Sequence, residues 1–437
     1  QHAVILMEKG WNPVYETTEY GDSWIIDHYA KGAWVYEAAA FSFLKKVEAA
    51  KSFNILMIVV SFCLIFSALI RTINRRIFIL FLISVIFACN PVSVYQVFSF
   101  YIDGQLSSSI LCVIALFSLV YSSTTDKRLL LFLLFISLLF LVNYKFTGTA
   151  YAFVLCGGFS CIYLLRKEIK YFLYISCLLF IFITVGIVFY GFNPYVKNTM
   201  NYGHPFYPLN KMDLGTQPAN FKGENRFNKG FLSYFSKSGC VMAPDSAERK
   251  KFFDISDKNT FAAPDTRTAG FGSLFNVNLV ITFIIMGLML FLFHLRETRI
   301  VLYIVLFILL SVIINPEFWW ARYVPQLYFI PLILFLHLFF IDFFKKPFIN
   351  KFLFLLHVFN IVVIIVNLAL IVNVYLKSKM VMTTQINEQI NFLKDKTLVV
   401  NLDRFDALER RLIENNIKYR ISSLNEIPVD ERSPIIG

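Results

Sequence analysis

Ten apolar stretches, at about 53–70, 77–89, 106–123, 129–142, 149–165, 171–191, 276–294, 300–314, 324–341 and 352–376, alternate with polar connections along the chain. No other feature constrains the fold as tightly. A helix needs roughly 17–25 apolar residues to cross a bilayer core of about 30 Å, and in hydrocarbon each backbone donor and acceptor must be satisfied within the segment. Of the 437 residues, 57% are hydrophobic and only 16% charged, more apolar surface than a soluble domain of this length needs. The pattern predicts an all-α polytopic membrane protein. Some stretches are short for a full crossing, which implies tilt or burial within a bundle. The chain opens on Gln1 with neither a signal peptide nor a span ahead of its first polar stretch, so an eleventh span is expected upstream.

A formal charge of +12 would suit a nucleic-acid partner, but its distribution points to topology. The short connections "RTINRR", "TTDKR", "RKEIK", "RETR" and "DFFKKPFINK" carry thirteen Lys and Arg, whereas 90–105, 143–148 and 315–323 carry only Lys145 and Arg322. The asymmetry predicts basic loops in the cytoplasm and every long polar segment on the outer face. The chain then divides into an outer loop with interfacial helices (1–51), a first bundle half (52–191), a large outer loop (192–275), a second bundle half (276–376) and an outer appendage (377–437). Six of seven cysteines lie in or beside apolar stretches and only Cys240 in the long loop, so no disulfide framework or Cys/His metal spacing emerges.

The outer segments hold the polar chemistry. "GWNPVYETTEYGDSWIIDHYAKGAWVYEAAAF" gathers Asp22, Asp27, His28 and Lys31 ahead of the first apolar stretch, and from Tyr29 it carries helical spacing that suits an interfacial helix or a plain amphipathic connector. "NPVSVYQVFSFYIDGQ" places Asp103 at the end of a helix-like run, "NYKFTG" presents Lys145, and "PEFWWARYVPQ" presents Arg322 beside Trp319, Trp320 and Tyr323. Charges at such depth are costly unless paired or solvated. Each has an ordinary reading, snorkelling for the cations and a helix cap for Asp103; together on one face they suit a shared anionic ligand. In "FNPYVKNTMNYGHPFYPLN" three prolines break any regular helix, and Asn198, Tyr202, His204 and Tyr207 offer hydrogen bonds and rings to a sugar. The stretch 211–273 reads as an irregular lid, with an amphipathic helix within 225–239. "TLVVNL", "DRFDALERRLIENN" and "KYRISS" predict a small β-α-β appendage with Asp403 as N-cap.

In order along the chain, "GWNPVY", "DHYAKGAW", "FYIDG", "NYKFTG", "NPYVKN", "GHPFYPL" and "WWARYVPQ" resemble the bacterial GT-C glycosyltransferases, over roughly residues 1–341. The resemblance implies a GT-C-like helical bundle that moves a sugar from a polyprenyl phosphate carrier to an acceptor glycan or glycolipid outside the cytoplasmic membrane. It implies an acidic general base early in the first outer loop, here upstream of Gln1 or among Asp22, Asp27 and Asp103. It further implies that His28, Lys31, Lys145, Arg322 and Tyr323 hold the donor phosphate, that Asn198, Tyr202, His204, Tyr207 and Trp320 contact sugar or acceptor, and that a divalent cation (Mg or Mn) takes part. Ala30 stands where the family pattern expects proline. The acceptor would be O-antigen, capsule or another lipid-linked glycan. A polymerase or ligase of lipid-linked repeat units is the nearest alternative. A transporter would instead put polar residues and broken helices at mid-bilayer.

Overall fold

The structure, a computed structural model, describes residues 1–18, 23–73, 76–122, 125–208, 224–235, 239–240, 264–268, 270–291, 296–339, 347–402 and 406–422. Expectations for Asp22 and Asp403, and for most of the lid, fall outside the described residues.

Three short helices come first: α1 His2–Glu8, α2 Ser23–His28 and α3 Gly32–Leu44. Alanines at 38 and 50 let α3 and the following turn close on Val4, Ile5, Phe41 and Val47 in a small apolar cluster of their own. Gly32 seats α3 against the bundle, since a Cβ there would lie 2.8 Å from the Asn143 carbonyl oxygen.

The bundle then runs α4 Ser52–Ile73, α5 Ile77–Ala88, α6 Pro91–Gln96, α7 Asp103–Ser122, α8 Lys127–Tyr144, α9 Phe146–Leu165 and α10 Ile169–Val185. After a bent segment at 186–196 come α11 Lys197–Tyr202, α12 Arg226–Phe235, α13 Phe275–Leu290, α14 Arg296–Ile313, α15 Phe329–Leu336 and α16 Pro347–Leu393. Among the described residues, six helices are long and apolar enough to cross a membrane, and three further apolar helices are shorter. The described residues of the ten expected stretches are therefore largely helical, but not all ten are full-length spans. Within the stretch expected at 324–341, 3-10 turns flank the eight-residue α15; Pro325 opens the first of them, and Pro331 falls in the first turn of α15, where a missing N–H is tolerated. The stretch at 77–89 stops after twelve residues where Asn90 caps α6, its side chain accepting from Ser93 N at 3.2 Å.

α7 is the central helix. Gly104, Ser107, Ser108, Ser109 and Ala115 keep its girth small, and it packs against α4, α8 and α6. The surrounding helices show the reverse of a soluble pattern, exposing large apolar side chains such as Leu56 on α4, Phe132 on α8, Phe180 on α10 and Phe283 on α13. Such apolar outer faces fit a hydrocarbon surround.

Two ends of the bundle are distinct. At one, Arg71 pairs with Asp126 at 3.1 Å and the Arg166 guanidinium lies 5.3 Å from the Tyr121 ring. The other gathers the start of α7, the α8–α9 junction and the segment after α14. Asp103 opens α7 rather than closing the preceding run, a correction to the sequence expectation.

α16 continues well past residue 376. No Gly or further Pro interrupts its 47 residues, a rod of about 70 Å at the usual helical rise. Beyond it, β3 Thr397–Val400, α17 Asp406–Glu414 and β4 Lys418–Ile421 form the expected appendage, with the strands parallel. It docks on the opening stretch: Val47 N donates to Glu414 Oε1 at 2.8 Å, and Arg411 pairs with Glu48. A second small sheet joins β1 Gly239–Cys240 to β2 Thr266–Thr268.

Candidate functional site

Asp103 is the hub of a buried ionic cluster. Lys145 Nζ lies 2.6 Å from its Oδ1 and Arg322 Nη1 lies 3.3 Å from its Oδ2, while Arg322 Nη2 reaches Asp265 Oδ1 at 3.0 Å. Asp103, Lys145 and Arg322 are 1%, 8% and 7% exposed. Local geometry explains the convergence. Lys145 is the single extended residue between α8 and α9, and the turn is held tight by Gly148, where a Cβ would fall 2.0 Å from the Leu141 carbonyl oxygen. Arg322 sits in a one-turn 3-10 helix between the tryptophan pair and Pro325.

Aromatic rings wall the cluster. The Lys145 ammonium stands 3.7 Å from the Tyr323 ring centre, and the Arg322 guanidinium lies 5.0–5.2 Å from Tyr323, Trp320 and Tyr101. These faces offset part of the cost of burying two cations. Burial works against the charge on Arg322, but Asp103, Tyr323 and Asp265 outweigh it and raise its pKa, so it stays protonated. Trp320 is 4% exposed and packs on Tyr323, so it supports the cation from within the wall.

A second cluster forms where α2 meets α11. His28 Nδ1 lies 2.8 Å from Asn198 Oδ1, and Asn198 Nδ2 donates to the carbonyls of Tyr207 (2.9 Å) and Pro205 (3.4 Å). Those carbonyls fix which end of the amide is oxygen, so His28 Nδ1 carries the proton. Tyr202 and Tyr207 stack at 4.0 Å between ring centres, with His28 edge-on to both. His204 accepts from Phe206 N at 3.1 Å and so shapes this turn.

Asp27 and Lys31 do not join the ionic cluster. The Asp27 carboxylate accepts from Thr18 N at 2.9 Å, and Lys31 Nζ donates to the carbonyls of Asp27 (3.0 Å) and Tyr29 (2.8 Å), closing the turn between α2 and α3. Burial above all brings the Lys31 pKa down to about 7. Their segment contributes Tyr29 instead. Its ring lies 5.5 Å from Phe146, which in turn touches Tyr195 and Phe206, and burial above all, helped by Tyr323 and Asp103, raises its hydroxyl pKa. Tyr29 and Phe146 thus bridge the two clusters.

Sequence reasoning missed four further members. Gln96 donates to Asp103 Oδ2 at 3.4 Å and accepts from Gly104 N at 2.8 Å, fixing the first turn of α7. Asp265 shares Arg322. Tyr151 donates to the Tyr323 carbonyl and accepts from Asn315 at 2.7 Å. Glu37, fully buried, accepts from Gln105 at 3.0 Å and keeps its second oxygen unpartnered. Depth alone flagged Lys145 and Arg322; for the others nothing short of their spatial partners gives a signal.

A divalent cation does not fit these residues. Both Asp103 oxygens face cationic side chains, Asp265 faces Arg322, and among the described residues no three His, Cys, Asp or Glu side chains gather. The arrangement can hold an anion between Lys145 and Arg322 once a carboxylate gives way. No protein-family model matches the chain, and neither does any curated protein.

Proposed function

We propose that the chain is a multi-pass GT-C type glycosyltransferase of the bacterial inner membrane, moving a sugar from a polyprenyl phosphate carrier to a periplasmic glycan or glycolipid. The basic loops lie in the cytoplasm on this reading, and the Asp103 end faces the periplasm. One observation carries it: two buried cations from distant parts of the chain meet at one carboxylate, at the end of the bundle away from the basic loops.

A donor phosphate arriving along the membrane takes the place of Asp103 against Lys145 and Arg322. The acceptor hydroxyl oxygen then attacks the anomeric carbon, and the bond from that carbon to the phosphate oxygen breaks. The electron pair stays on the phosphate, where the two fixed cations stabilise it as it develops. The hydroxyl proton passes to a carboxylate, a role for which Asp103, freed from its cations, becomes basic enough. A single displacement inverts the anomeric centre. The Tyr202–Tyr207 stack, beside Asn198 and His28, offers an apolar face and hydrogen bonds to a sugar ring.

The test uses the full chain in lipid nanodiscs with a labelled monosaccharide on polyprenyl phosphate and a mixture of lipid-linked glycans as acceptors. Turnover to free polyprenyl phosphate is expected, falling at least tenfold in Arg322→Lys, which keeps the charge and loses the planar fork. Failure of polyprenyl phosphate to bind, together with no turnover, would sink the reading. Turnover of pyrophosphate-linked oligosaccharide alone would point to a repeat-unit polymerase or ligase.

A further inference from the structure

An apolar cavity lies at the opposite end of the bundle from the ionic cluster. It measures about 340 Å³ and opens between α4, α7, α9, α14 and α15. That is roughly twice an apolar cavity of about 150 Å³ that already takes up a benzene-sized guest. On α7 it spans Ile114 to Tyr121, about 16–27 Å along the helix from Asp103 at the usual rise. Given the membrane-spanning reading above, on which this inference rests, the cavity sits in the half of the bilayer beside the basic loops.

We propose that this cavity binds one acyl chain of a cytoplasmic-leaflet phospholipid. Three observations commit it to that occupant. Its walls are almost wholly apolar, Phe117, Phe159, Ile304 and Phe307 among them, and it is partly open rather than sealed. A cavity open to hydrocarbon at that depth fills with what surrounds it. Polar character is confined to its far end, where Thr72, Ser118, Tyr121 and Glu297 line it. Thr72 and Ser118 already satisfy each other or their own helices, so they ask nothing of a guest. Glu297 at this mouth supplies an anion for an ammonium head, while Arg166, over the Tyr121 ring, is already paired with Glu168 at 3.4 Å. The tail of a carrier held at Asp103 has no route inward along α7, because Leu106, Ser107, Ile110 and Leu111 are sealed on every side. The occupant therefore comes from the other leaflet.

The probe is a phosphatidylethanolamine with a photoactivatable diazirine near the end of one acyl chain, incorporated in nanodiscs around the full chain. After illumination, adducts are expected on the stretches 114–121, 155–162 and 300–308, and their loss is expected in Ser118→Phe, which fills the cavity. Ile304→Phe provides a second filling variant should the first fail to fold. Adducts confined to outward faces, such as Leu173 and Phe180 on α10, would overturn the inference and leave the membrane reading standing. Absence of adducts on any apolar helix would overturn the membrane reading itself. Cavity adducts obtained only from diazirine-labelled polyprenyl phosphate would assign the space to the carrier and overturn this proposal.

Discussion

Lys145 Nζ stands 2.6 Å from Asp103 Oδ1, both side chains deep in the bundle, and each is the other's nearest opposite charge. Taking one charge from such a pair leaves its partner buried and uncompensated, a cost of about 3–5 kcal/mol. Asp103→Asn or Lys145→Met alone is expected to lower the unfolding midpoint markedly in detergent. The double variant Asp103→Asn with Lys145→Met is expected to recover part of the loss, though Arg322 keeps Asp265 alone as its counter-ion. Thermal unfolding of the three proteins checks this; equal losses that simply add would argue that the pair is not coupled. Removing a charge here thus tests stability together with activity, so transfer assays need a folding measurement beside them.

Gly148 fixes the turn that aims Lys145. A methyl group at 148 would collide with a backbone oxygen 2.0 Å away, and a carbonyl inside a helix has nowhere to swing. Gly148→Ala is expected to cost about 3 kcal/mol or to abolish folded yield. Gly157, on the same helix, has nothing within 4 Å of its added Cβ. Gly157→Ala should be neutral or stabilise by up to about 1 kcal/mol. Size-exclusion profiles and unfolding midpoints of the two variants decide it. Comparable behaviour at 148 and 157 would remove the steric argument.

Among the described residues, hydropathy located the long apolar helices, though not the short α1, because segments that face hydrocarbon announce themselves by composition. Their lengths were less legible. Pro325 was visible in the stretch 324–341, yet the apolar run around it outweighed the missing donor in a pattern reading. The extension of α16 to Leu393 was legible only by absence, since polar residues follow Tyr375 while no helix breaker does. At the site, short loops on one face already brought Asp103, Lys145 and Arg322 to a common end. Alternating topology cannot say which of them touch. Asp27 and Lys31 looked like ligands by residue type, but backbone groups of Thr18, Asp27 and Tyr29 in the same opening stretch claimed them first. Gln96 and Asp265 carried no signal, because a neutral amide in a short helix and a carboxylate in a long loop are both ordinary until Asp103 and Arg322 are seen beside them.

Two buried groups in the opening stretch titrate near neutrality in opposite senses. Burial raises the Glu37 carboxyl from 4.5 to about 7, so between those values the unfolded chain releases a proton that the folded chain keeps, and stability falls as pH rises. Burial lowers Lys31 from 10.5 to about 7, so in that upper window the folded chain has already lost its proton and stability rises with pH. A minimum in the unfolding midpoint near pH 7 is expected. Glu37→Gln should flatten the acid limb, worth up to about 3 kcal/mol, and Lys31→Met the alkaline limb. A midpoint that peaks at neutrality in the unaltered protein would contradict both assignments.

Tyr202 and Asn198 belong to one cluster but stand in contrasting surroundings, which separates binding from architecture. Tyr202 is 45% exposed, so Tyr202→Ala removes one face of the ring stack at a stability cost of about 1 kcal/mol or less. If the stack holds a sugar equally in the ground and transition states, KM rises while kcat stays near its original value. Asn198 is 1% exposed and joins His28 to the carbonyls of Pro205 and Tyr207. Asn198→Ala leaves a buried N–H and two carbonyls without their partner, a loss of about 1–3 kcal/mol in folding. Kinetics with the labelled carrier and unfolding midpoints for both variants give four readings. A Tyr202→Ala protein with unchanged KM would take the ring stack out of substrate binding, whatever Asn198→Ala does to stability.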